Sequence, residues 1–172
     1  MAPKVVTFLI PILTLGLISC NRAKPAGFWK NYRPNLIIAE NSDQGPHGGH
    51  MSVCWKTSGI EIFDSKSILG FADKNGWTIV DSLEFSQEQT NKWRHNEKSI
   101  FPLTFKGFSD SLTNDATLDN FPRWFGGNVK LYRFKTGWVT IEPGTDNSIE
   151  ENGFILINGD NTQFAIYHLW GD

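Results

Sequence analysis

Residues 154–158 and 163–169 are almost wholly apolar, and the four residues between them, Gly159-Asp160-Asn161-Thr162, are all turn formers. Two β-prone runs joined by so short a polar link read as an antiparallel hairpin. Its return arm is close to continuously apolar, which places it near the middle of a sheet covered on both faces. A second pair of runs, 129–134 and 138–142, flanks Lys135-Thr136-Gly137 and reads as another hairpin. Within residues 76–85, Trp77, Ile79, Leu83 and Phe85 share one parity, the pattern of a half-buried strand, which Asp81 interrupts.

Helical signals are fewer. Asp64 offers an N-cap, Ile68, Leu69, Phe71 and Ala72 form an apolar stripe, and Asn75-Gly76 supplies a left-handed stop. Ser86 with Gln89 three residues on is a capping-box pattern over 86–95, a polar stretch pinned by Trp93. Many strands with one or two short helices give an α+β domain, mainly antiparallel β-sheet with C-terminal hairpins. The core material is ample, since 13% of the 172 residues are aromatic, including seven Trp and thirteen Phe. A domain of about 150 residues buries roughly 68–70% of its unfolded-chain surface, so it requires neither metal nor disulfide to fold.

The first twenty residues obey a different logic. Lys4 precedes an apolar run of fourteen residues, 5–18, and then Ser19-Cys20-Asn21-Arg22 turns abruptly polar. This is the architecture of a secretory signal. The run falls short of the roughly 20 residues a spanning helix needs, and Pro11 interrupts it. Leu17-Ile18-Ser19-Cys20 resembles the lipobox of bacterial lipoproteins in Leu17, Ser19 and Cys20. The resemblance implies diacylglycerol on the Cys20 sulfur, cleavage before it, and acylation of the new amino terminus. Two or three acyl chains hold a protein on a membrane where one alone is marginal.

The expected organisation is therefore a signal peptide over 1–19, a lipidated tether over 20–27 and a single globular domain over 28–172. The tether would keep the domain within about 25 Å of the bilayer. Asn21 stands where some proteobacterial lipoproteins carry an inner-membrane retention Asp, so the resemblance implies the outer membrane, facing periplasm or cell surface, over the inner one. Cleavage leaves 153 residues and 15 basic against 18 acidic side chains. A balance so weak and mixed excludes nucleic acid as a partner. With Cys20 lipidated, Cys54 is a lone thiol in an apolar run, the setting of a buried, inert cysteine.

Little in the domain points to chemistry. Asp43-Gln44-Gly45-Pro46-His47-Gly48-Gly49-His50 is irregular, and its two imidazoles with His168 could meet a metal ion, the basis of an alternative reading as a small metal-dependent or hydrolytic enzyme. A structural loop is the plainer reading, and no cofactor is expected. His50 and Cys54 share a strand face but would lie about 13 Å apart, too far for a nucleophile and its base. Glu150-Glu151 reads as solvated charge in a polar loop. Trp29 and Trp124 lie beside polar or turn residues, and Phe121-Pro122-Arg123-Trp124-Phe125-Gly126-Gly127 holds aromatics next to an arginine, a composition that protein interfaces favour. Trp124, Phe125, Arg123 and Trp29 are thus the expected partner-binding residues of a non-enzymatic, lipid-anchored envelope protein, with the character of an immunity or inhibitor lipoprotein.

Overall fold

The computed structural model describes residues 25–59, 61–111 and 116–171. The signal segment, Cys20 and the tether up to Lys24 lie outside the described residues.

In chain order the strands and helices are β1 (Ile37–Gln44), β2 (Gly48–Lys56), α1 (Ser65–Lys74), β3 (Thr78–Phe85), α2 (Gln87–Asn91), the two-residue strands β4 (Arg94–His95), β5 (Lys98–Ser99), β6 (Leu103–Thr104) and β7 (Gly107–Phe108), then β8 (Val129–Ile141), β9 (Ser148–Asn158) and β10 (Gln163–Gly171). Six of them form one sheet in the order β1-β2-β10-β9-β8-β3. All neighbours in that order run antiparallel, so the domain is α+β with mainly antiparallel sheet.

The β9–β10 hairpin forms where the turn residues place it, and β10 lies at the sheet centre between β2 and β9. Its near-continuous burial follows from cover on both faces. On one face, Met51, Val53 and Trp55 of β2 and Phe164, Ile166 and Trp170 of β10 pack with Trp29, Phe63, Ile68 and Ala72, so α1 and the N-terminal turns form a layer there. On the other, Cys54, Tyr167, Leu169, Phe154 and Leu156 meet Trp93, Phe101, Leu103, Phe121 and Phe125. The long connection from β3 to β8 builds this second layer.

Both caps form as the sequence directs. The Asp64 carboxylate accepts from the Lys66 and Ser67 amides at 3.2 and 3.0 Å. Ser86 and Gln89 make the reciprocal capping box of α2. Each cap stabilises its helix by about 1 kcal/mol.

Two expectations are corrected, and a third is met in part. Residues 129–134 and 138–142 are not two arms of a hairpin but parts of the single strand β8, whose partner is β9. The register jumps from Lys135↔Glu151 to Thr140↔Ile149, so Lys135-Thr136-Gly137 belongs to a bulge and not to a turn. Glu150 and Glu151 sit on β9 rather than in a loop, and Glu150 pairs with Lys135 at 2.7 Å. The parity face of residues 76–85 is buried at its two ends, Trp77 and Phe85, and open in its middle, where β3 is an edge strand with its own bulge between Ile79 and Asp81. Between them Ile79 is 49% exposed and Leu83 is exposed as well.

Candidate functional site

The 121–127 segment crosses the second layer, and its residues are divided by burial. Phe121 is fully buried, and its ring lies 5.6 Å from that of His50. Arg123 is buried too. Its guanidinium donates to the Phe125 carbonyl at 2.8 Å and to the Thr90 carbonyl at 2.9 Å, and it lies 6.0 Å from the Trp93 ring centroid. It therefore fastens the end of α2 to the segment through two carbonyls and an aromatic face, and is a structural staple. Phe125 closes the core below it.

Trp124 is the member of the segment that keeps a partly open ring. It stacks at 18° on Tyr167 with centroids 6.1 Å apart, and the Tyr167 hydroxyl donates to the Pro122 carbonyl at 3.1 Å. Tyr167 is itself fully buried in β10, so the central strand holds the Trp124 loop from beneath. Trp29 is placed elsewhere. It is fully buried in the opposite layer, within 5.2–6.4 Å of the rings of Phe28, Tyr32, Trp55, Phe71, Trp77 and Phe164. Of the four residues expected at an interface, then, Arg123, Phe125 and Trp29 are packing residues, and the structure does not bring Trp29 to the others. A residue's polar neighbours in sequence do not reveal the ring cluster that covers it.

The histidines do not assemble a metal centre. His47 lies in the exposed β1–β2 turn, closed by the Gly45 amide and the Gly48 carbonyl at 2.8 Å. His50 follows the parity of Cys54 and faces the second layer. His168 follows the parity of Ile166 and Trp170 and faces the α1 layer, stacked on Trp170 at 4.9 Å and against Trp77 at 5.4 Å. His50 and His168 thus lie on opposite faces of the sheet, which corrects the alternative ligand set. Among the described residues no group of three His, Cys, Asp or Glu side chains is placed to hold a metal ion. Gly49 of the loop has a packing role, since a Cβ there would lie 2.7 Å from the Trp170 ring, and the loop also closes on Gly171 of β10, where a Cβ would strike the His47 carbonyl.

A buried polar cluster that sequence reading missed sits at the β8 bulge. Thr136 Oγ1 donates to Asn152 Oδ1 at 2.8 Å and lies 3.1 Å from His168 Nε2. The hydroxyl has spent its one proton on Asn152, so Nε2 carries the imidazole proton and Nδ1 is the unprotonated nitrogen. Nδ1 has no protein partner. Asn152 Nδ2 donates to the carbonyls of Trp138 and Leu169 at 3.1 and 3.0 Å, and Thr140 adds a bond to Leu169 at 2.9 Å. Full burial pushes the His168 pKa down to about 3. The imidazole is neutral at physiological pH and ties β8, β9 and β10 together. The bulge breaks the strand alternation here, so that Thr136 is buried while Trp138, two residues on, is 45% exposed.

Cys54 is fully buried, and desolvation pushes its thiol up to about 12, as expected of an inert cysteine. No helix among the described residues is long and apolar enough to cross a membrane. Comparisons with protein-family models, curated protein sequences and solved structures return no match for this chain.

Proposed function

We propose that this protein is a lipid-anchored envelope lipoprotein whose domain acts by binding another protein and has no catalytic activity of its own. Cys20 carries the lipid, and the domain stands on the outer membrane, toward periplasm or cell surface. Its partner is an envelope protein or an incoming protein that the cell must neutralise.

The observation that carries this reading is the placement of the two ends of the device on opposite faces of one sheet. Ala26 and Trp29, where the chain enters the fold from the tether, are buried in the α1 layer. Trp124 lies in the other layer, against Tyr167. An anchor on one face leaves the other free to meet a partner, and a partly exposed Trp on a rigid support is the residue type that dominates interface energies. The lipobox resemblance supports the anchor.

The test is in-cell photo-crosslinking with a photoreactive residue at position 124, and at exposed Lys74 on α1 as the comparison. A discrete adduct from position 124, absent from position 74, is the expected result. No adduct from 124, or the same adduct from both positions, would remove this surface from the proposal.

A further inference from the structure

An open apolar groove of about 460 Å³ runs between α1 and the edge strand β3, lined by Leu69, Trp77, Ile79 and Phe134 with Lys66 and Asp73 at its sides. Ile79 faces it because it pairs with Phe134, whose side chain belongs to the α1-side core. The groove lies beside the entry of the tether, since Phe28, two residues after Ala26, sits edge-on to Trp77 at 5.7 Å.

We infer that this groove face rests on the phospholipid surface, as a second contact beside the acyl anchor; the inference rests on the proposed lipidation of Cys20. The carrying observation is the length of chain between lipid and fold. Six residue steps separate Cys20 from Ala26, which is fully buried in the α1 layer. Fully extended, they reach about 20 Å. A domain of this length has a radius of gyration of about 15 Å, so that tether cannot carry the bilayer round to the far layer. The face turned to the lipid is the one with α1 and the mouth of the groove. There Ile79 supplies exposed apolar surface, and Lys66 can lay its methylene stem along the groove while its ammonium meets the headgroups. The occupant is the headgroup and upper acyl region of the membrane, not a second copy of the chain or a partner protein, because only the membrane is held within reach by the tether at all times.

The experiment uses the full-length protein, processed in cells, purified in detergent and reconstituted into phosphatidylcholine–phosphatidylglycerol vesicles. Ile79→Cys is labelled with an environment-sensitive fluorophore, and Lys98→Cys, on β5 in the far layer, is the control. Cys54 does not compete for label, being fully buried with a thiol pKa of about 12. With doxyl groups on the lipid at the interfacial depth of about 5–10 Å, emission from position 79 falls about twofold and that from position 98 does not change. Protein that floats with the vesicles but shows no quenching at 79, or equal quenching at both positions, overturns the inference and leaves the lipidation reading standing. Shielding of position 79 from aqueous iodide without quenching by lipid also overturns it, by showing a protein in the groove. Protein that does not float with the vesicles refutes the lipidation reading, and this inference with it.

Discussion

Trp124 stacks on Tyr167 at 18°, centroids 6.1 Å apart, and Tyr167 in turn bonds the Pro122 carbonyl through its hydroxyl at 3.1 Å. A buried ring of the central strand therefore fixes both the position and the tilt of a partly exposed ring. Removing the hydroxyl in Tyr167→Phe should cost about 1 kcal/mol, the net worth of one hydrogen bond. Trp124→Ala should cost more, about 2 kcal/mol, for the lost ring pair and the area that a partly buried ring covers. Urea unfolding of both variants checks this. A loss for Trp124→Ala of the 3–5 kcal/mol typical of a core Trp would mean that this ring belongs to the core and not to a binding surface.

His168 makes stability depend on pH in a defined direction. Its folded pKa of about 3 lies below the unfolded value near 6.5, so between these pH values the unfolded chain binds a proton that the folded chain refuses. Stability is complete above about pH 6.5 and falls as the pH drops toward 3, by roughly 1 kcal/mol per unit within that window. Burial also lowers the pKa of His50, partly offset by Asp43, so it adds in the same sense. Urea midpoints from pH 7.5 to 4.5 should decline in the native protein and decline distinctly less in His168→Gln. Equal slopes would assign the acid sensitivity to other groups.

The bulge cluster should be intolerant of change in two ways. Asn152→Ala leaves the Thr136 hydroxyl and two carbonyls without that partner in a buried site, and should cost about 2–4 kcal/mol. Gly153→Ala would set a Cβ 2.5 Å from Thr136 Cγ2 and 3.0 Å from the Trp77 ring, and overpacking of this kind costs about 1–3 kcal/mol. Thermal unfolding followed by circular dichroism reads both. Variants as stable as the native protein would show that β8 and β9 can part here without loss.

Much of this architecture is legible in the residues themselves, and the remainder is hidden for identifiable reasons. The β9–β10 hairpin and both helix caps follow from local chemistry at Gly159–Thr162, Asp64 and Ser86, where the deciding contacts lie within a few residues. The β8 bulge does not, because what makes Lys135-Thr136-Gly137 a bulge is Asn152 and His168, respectively 16 and 32 residues from Thr136. The same holds for Trp29, whose burial is set by rings distant in sequence, so that a residue expected at an interface lies inside. The site was half legible: the Trp124 loop carried a compositional signal, while the split of His50 and His168 between two faces depends on the pairing of β2 with β10.

That split gives a further expectation for solution work. Purified protein should hold no stoichiometric zinc, and His50→Ala should leave its metal content unchanged, since among the described residues no group of three His, Cys, Asp or Glu side chains is placed to hold a metal ion. Elemental analysis by plasma mass spectrometry reads both. About one zinc per chain in the native protein, lost in His50→Ala, would restore the metal-enzyme reading.

The anchor is the premise on which the orientation of the whole domain depends, and intact mass spectrometry of the protein extracted from membranes tests it most directly. The expected result is a chain beginning at Cys20, with diacylglycerol on its sulfur and acyl on its amino terminus. A chain that begins at Met1, or one that carries an unmodified Cys20, would contradict it.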